Sequence, residues 1–105
     1  MRRGDVYELR LPESRGHEQS GKRFGVVVQA DEMLPRSVIL VAPTSQSARA
    51  ASFRPEIVIE DEVMRVLVEQ VGAVDTTRFG DLAGHVTAEE LWGIDEALLT
   101  VLGLR

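Results

Sequence analysis

The 105-residue chain has no cysteine, which excludes disulfide scaffolding and thiolate metal centres. Histidine is almost as scarce: His17 and His85 lie far apart and make no metal-ligand signature, so neither a metal nor a cofactor is expected. No uninterrupted apolar run approaches the length that crosses a bilayer. Met1-Arg2-Arg3-Gly4-Asp5-Val6-Tyr7 leads straight into strand-like alternation without the apolar core of a signal peptide. A cytoplasmic protein without membrane association is the expectation. A basic surplus is missing too, because the formal net charge of −5 argues against a general nucleic-acid binder. That charge is unevenly spread. Residues 1–55 hold nine Arg/Lys against six Asp/Glu, and residues 56–105 hold three against eleven, so one face can meet an anion and another a basic partner.

What is present fits a single domain spanning 1–105, with no repeat, low-complexity tract or linker. Gly4 to Leu11 alternates as a first strand and stops at Pro12. Pro12 to Lys22 is a polar loop of about a dozen residues, a length that in compact domains is usually functional. Arg23 to Gln29 and Ser37 to Ala42 are apolar enough to be core strands, separated by a connection ending in Leu34-Pro35. Pro43 to Ala50 reads as a small polar loop. Phe53 to Ile59 is a fourth strand, placed at an edge by Pro55. Glu60-Asp61-Glu62 is an acidic turn, Val66 to Val71 a fifth strand, Val74 to Gly80 a connector with one helical turn, and Leu82 to Val86 a last strand. Thr87 and Glu90 form a capping box for a helix whose apolar stripe is Leu91, Ile94, Leu98, Val101 and Leu102, with Gly103 as its stop. The whole is a small, curled, mostly antiparallel sheet finished by one helix.

The chemistry centres on Gly16-His17-Glu18-Gln19-Ser20-Gly21-Lys22-Arg23. Two glycines bracket an imidazole, a carboxylate, an amide and a hydroxyl, and Arg23 stands at the mouth of a buried strand. A guanidinium held still there can grip phosphate oxygens with two parallel N–H groups. A phosphate ligand is the first expectation, and a plain hairpin loop the structural alternative. Glu69 and Gln70 interrupt an apolar run, so they either pair inside the fold or face a cleft.

These pieces, in this order, resemble the MazF/PemK family of toxins from bacterial toxin-antitoxin pairs. The resemblance rests on Arg3-Gly4-Asp5-Val6-Tyr7, Gly16-His17-Glu18-Gln19 through Arg23, Pro43-Thr44-Ser45, Glu69-Gln70 with Val74-Asp75, and a helix ending Leu102-Gly103-Leu104. It implies an α+β, mostly β fold: an SH3-like (PemK/CcdB-type) curled antiparallel barrel with a C-terminal helix, usually a homodimer. It also implies an endoribonuclease that cuts single-stranded RNA, whether mRNA, tRNA or rRNA, at short sequences without metal. The substrate's 2′-hydroxyl is then the nucleophile, the products carry 2′,3′-cyclic phosphate and 5′-hydroxyl ends, and a cognate antitoxin neutralises the enzyme.

Position by position, Arg23 matches the family's catalytic arginine and Thr44 its phosphate-positioning hydroxyl, with Ser45 as helper. Glu18 and His17 match loop residues implicated in catalysis or RNA contact. Glu69 matches a proposed general base, so three candidates compete for one role. Gln19, Lys22, Gln46 and Gln70 are the remaining expected substrate-binding residues. The structural alternatives are an Arg23 ion pair with Glu18 or Glu69, a turn role for Thr44, a strand-bridging or partner-facing role for Glu69 and Gln70, and a structural His85. The chain departs from the pattern where Phe24-Gly25 replaces the common Pro after the catalytic arginine, which leaves that backbone less constrained or differently packed. Leu67 stands where one branch carries a second catalytic arginine, and Gly72 stands near a usual basic site. A competing reading is a non-catalytic gyrase-poisoning toxin of the same fold, suggested by Trp92-Gly93-Ile94, although eleven residues follow Ile94 here. A third is an inactive antitoxin-binding decoy.

Overall fold

The structure is a computed structural model that describes residues 1–10 and 23–105. The described residues form seven strands and one α-helix: β1 (Asp5–Leu9), β2 (Phe24–Val27), β3 (Val38–Ser45), β4 (Glu56–Ile59), β5 (Glu62–Val66), β6 (Gly72–Asp75), β7 (Phe79–His85) and α1 (Ala88–Val101). The strands make one antiparallel sheet in the order β4-β5-β3-β2-β1-β7, with β6 alongside the first half of β3. This is the curled sheet with a C-terminal helix that was expected. No helix among the described residues is long and apolar enough to cross a membrane.

β2 is buried along its whole length because the sheet is covered on both sides there. Phe24, Val26 and Val28 face the main core, which Ile57, Met64, Val66 and the helix residues Ile94 and Ala97 complete. Val27 points the other way, into a smaller cluster with Ile39 and Val41 that Tyr7, Leu9 and Phe79 close. Each fully buried aliphatic side chain contributes roughly 1.5–3 kcal/mol. β3 is only half covered. Ile39 and Val41 fill the smaller cluster, whereas Val38 and Leu40, expected in the core, are about half exposed on the opposite face.

Gly25 answers the question raised by the missing proline. A Cβ at that position would lie 2.4 Å from Val41 Cγ1 and 2.7 Å from Leu9 Cδ1, so the strand beside Arg23 is packed shut by its two neighbours. The position is constrained by packing, where a proline would constrain it through φ.

Several boundaries differ from expectation, each for a local reason. β3 continues through Pro43 to Ser45, so Thr44 and Ser45 lie on a strand and not in a loop. Pro43 falls where β3 passes from its β6 partner to its β5 partner, where its missing N–H does no harm. The acidic turn is a tight hairpin with Glu60 and Asp61 at φ 54° and 64°, and β5 begins at Glu62. β5 ends at Val66, because Val66, Leu67 and Val68 are all buried and a strand with one covered face cannot bury three in succession. The chain instead makes a short 3₁₀ turn over Val68–Gln70, and Glu69 and Gln70 leave the sheet. β6 lies partly within the expected connector; its glycine and length of four residues hide it. The single turn expected there is a 3₁₀ turn at Thr76–Arg78. β7 starts three residues early at Phe79, its pattern interrupted by two glycines.

The helix begins as its sequence dictates. Thr87 Oγ1 accepts from Glu90 N at 3.0 Å and Glu90 Oε1 accepts from Thr87 N at 2.9 Å. Glu90 Oε2 also accepts from Val58 N at 2.9 Å, which satisfies an outward N–H on the edge strand β4. At the other end Gly103, at φ 69°, lets Leu104 N reach Leu99 O at 2.9 Å. Leu91, Leu98 and Val101 pack on the core as expected, while Leu102 is exposed beyond it.

Candidate functional site

The end of β3 sets Thr44 beside the start of β2, where Arg23 stands. Thr44 pairs with Val66 of β5, and its side chain is drawn inward until only 3% of the residue remains exposed. Its Oγ1 donates to Phe24 O at 3.3 Å, long for a hydroxyl donor, so the bond is weak and the proton can be redirected to a better acceptor. Arg23, half-buried, is the residue immediately before Phe24. Its carbonyl accepts from Leu9 N at 2.8 Å, which ties the strand mouth to β1. Arg23 and Thr44 therefore occupy neighbouring positions where β2 starts and β3 ends.

Glu69 approaches from the β5 side. Leu67 N donates to Pro43 O at 2.8 Å, fastening the 3₁₀ turn to the strand that carries Thr44. The partner of Glu69 is Arg54 and not Arg23: Arg54 Nε and Nη2 both donate to Glu69 Oε2, at 2.9 and 2.6 Å. Arg54 Nη1 donates to Arg49 O at 3.1 Å, and its guanidinium lies over the Phe53 ring. Arg54 thus has little freedom to move. Its hydrogen bonds hold the Glu69 carboxyl below its usual range. A carboxylate so stabilised is a poor proton acceptor. The second oxygen, Oε1, is closed off from solvent and meets no hydrogen-bond partner among the described residues.

The helper residues are engaged within the chain. Ser45 Oγ accepts from Ser47 N and Ala48 N at 3.2 and 3.0 Å, so it shapes the turn after β3. Gln46 Nε2 donates to Glu62 Oε2 at 2.7 Å, and Gln70 is exposed on the 3₁₀ turn. His17, Glu18, Gln19 and Lys22 lie outside the described residues. His85 has the structural role anticipated, its Nδ1 2.7 Å from Asp5 Oδ1. Sequence reasoning missed Arg54. Its partner is fifteen residues away, and the only local signal is a cation wedged between Phe53 and Pro55.

The Trp-Gly-Ile stretch is divided by the fold. Ile94 is fully buried in the main core, whereas Trp92 is 65% exposed on the outer face of α1. Trp92 is therefore not a core residue, and the tripeptide does not form a free tail.

The chain is similar to known proteins along nearly its whole length. A family model described as PemK-like, MazF-like toxin of type II toxin-antitoxin system matches residues 2–102. The Mycobacterium tuberculosis protein Rv3098A is 36% identical over 104 residues, covering 97% of each chain. Endoribonuclease MazF9 of the same organism is 34% identical over 115 residues, covering 99% of this chain and 98% of its own. Among solved structures, a mycobacterial endoribonuclease in complex with its cognate antitoxin superposes with a TM-score of 0.82 at 21% identity, over 100% of this chain and 97% of that one. The MazE-MazF complex of Deinococcus radiodurans gives 0.77 at 20%, with the same coverage. At those identities the structures speak for the fold alone.

Proposed function

The chain belongs to the PemK-like, MazF-like toxin family of type II toxin-antitoxin systems, and we propose from this premise that it is an endoribonuclease whose active site is built on Arg23 and Thr44. The observation that carries the reading is the Thr44 hydroxyl, held by a weak bond to the Phe24 carbonyl one residue from Arg23.

The reaction is an in-line transesterification. The ribose 2′-oxygen forms a bond to the adjacent phosphorus, the bond from phosphorus to the 5′-oxygen breaks, and a 2′,3′-cyclic phosphate and a 5′-hydroxyl result. The proton lost by the 2′-hydroxyl must be accepted, and one must reach the 5′-oxygen. Arg23 offsets the charge that builds on the non-bridging oxygens, and Thr44 redirects its proton from Phe24 O to one of them. Glu69, held ionised by Arg54 and with its other oxygen closed off from solvent, suits a fastener of Arg54 to the 3₁₀ turn better than it suits a general base. Of the three candidates, the proton-accepting role then falls to Glu18 or His17. Single-stranded RNA is the substrate, a cognate antitoxin covers the site, the working unit is a homodimer, and the setting is the cytoplasm.

The test is incubation of the purified protein with mixed-sequence RNA in excess chelator, followed by mapping of the ends. Cuts with 5′-hydroxyl ends are expected, with a loss of about a hundredfold or more in Arg23→Ala and a smaller loss in Thr44→Ala. Intact RNA together with trapped gyrase–DNA complexes would overturn the reading.

A further inference from the structure

Resting on the ribonuclease reading, we propose that Arg10 and Arg78 form a second anion-binding step beside the active site, gripping RNA phosphates that flank the one being cut. The strand order supplies the placement. β2, β1 and β7 are neighbours, and Leu9 N bonds Arg23 O at 2.8 Å while Arg10 N bonds Arg78 O at 2.7 Å. Arg23, Arg10 and Arg78 therefore stand at the same end of three adjacent strands. At about 4.8 Å per strand, the backbones of Arg10 and Arg78 lie within roughly 10 Å of that of Arg23.

The partners of these side chains supply the chemistry. Arg78 Nε donates to Arg10 O at 3.0 Å, and Arg10 Nη1 reaches Thr77 O at only 3.4 Å. Among the described residues both guanidiniums keep N–H groups in hand and neither meets a carboxylate. Elsewhere Arg2, Arg3, Arg54, Arg65 and Arg105 each hold one, while Arg36 and Arg49, which also hold none among the described residues, lie outside the strands. Asp75, close to Arg78 in the chain, is turned to Thr77 N at 2.9 Å. Two like charges on neighbouring strands cost stability unless an anion sits between them. In a chain with a surplus of acids, two arginines that no described acid neutralises fit a polyanion that follows the strand ends away from Arg23.

The measurement is the salt dependence of binding to a mixed-sequence 2′-O-methyl RNA, whose blocked 2′-oxygens prevent cleavage. Removing one phosphate-binding cation lowers the slope of log affinity against log salt by about 0.7 for a single strand. Arg10→Gln is expected to lower it by that amount. Arg10→Lys and Arg78→Lys keep the charge and are expected to keep the slope. Arg2→Gln is the control, since it removes an equal charge beyond the other end of β1, roughly 16 Å of strand away, and should leave the slope alone. An unchanged slope in Arg10→Gln, or an equal fall in Arg2→Gln, overturns the proposal. A lower melting temperature in Arg78→Lys with no slope change in Arg10→Gln would mean that the pair only fastens β1 to β7. The two ideas fail separately. RNA cutting lost in Arg23→Ala but with an unchanged Arg10→Gln slope removes only this inference; a lowered slope in a protein that never cuts RNA removes only the ribonuclease reading.

Discussion

The two ends of β1 treat charge in opposite ways. At its start, Asp5 is buried and accepts from Arg2 N at 2.8 Å, with His85 Nδ1 2.7 Å away. Arg3 donates its backbone N–H to Asp31 at 2.7 Å, its Nε to Val28 O at 2.8 Å, and holds Asp95 of α1 at 2.7 Å. Every cation there has an acid beside it. At the far end, the Arg10 and Arg78 side chains bond only backbone carbonyls among the described residues, and Arg23 stands next along the row. The same strand thus carries one end where acids and cations pair, which fastens the N-terminus to β7 and α1, and another where no described acid pairs with Arg10 or Arg78. Total charge would have missed this, because the acidic excess of the chain lies elsewhere.

The contrast predicts where mutation hurts stability. The largest effect belongs to the paired end: Asp5→Ala leaves two donors unpaired and should cost about 1–3 kcal/mol in urea unfolding. A loss below about 0.5 kcal/mol, the usual range for surface changes, would mean that the cluster holds nothing together. An intermediate effect belongs to the Arg54–Glu69 pair and depends on pH. The folded-state pKa of Glu69 is depressed, so its stabilisation is fully present above the unfolded value of about 4.3 and is lost as pH falls through the lower folded value. The stability gap between wild type and Glu69→Gln should therefore shrink on acidification from pH 6 to pH 3, and a constant gap would show that the pair contributes nothing through ionisation. The smallest effect belongs to the other end. Arg10→Gln should change the unfolding free energy measured in urea by no more than about 0.5 kcal/mol, since the side-chain bond it removes is 3.4 Å long. A larger fall would make that end structural after all.

Residues whose partners are close in sequence could be read without coordinates. Thr87, Glu90 and Gly103 announced both ends of the helix, because capping is satisfied within a few residues. Pro55 marked an edge strand, and β4 is one. Arg23 and Thr44 were singled out by family motifs, and Thr44, expected in a loop, lies on β3. What escaped were relationships between distant residues. Nothing near Arg54 names Glu69, nothing near Arg10 names Arg78 sixty-eight residues later, and the exposure of Val38 and Leu40 depends on how far the core's cover extends.

Sequence alone determined the helix with its caps, the burial of the apolar strand β2, and the family to which the chain belongs, because periodicity, capping and motif spacing are local properties of the chain. Only the tertiary structure decided which charges are neutralised and which are left over. An ion pair needs two side chains within about 4 Å, and strand pairing, not chain order, sets that distance.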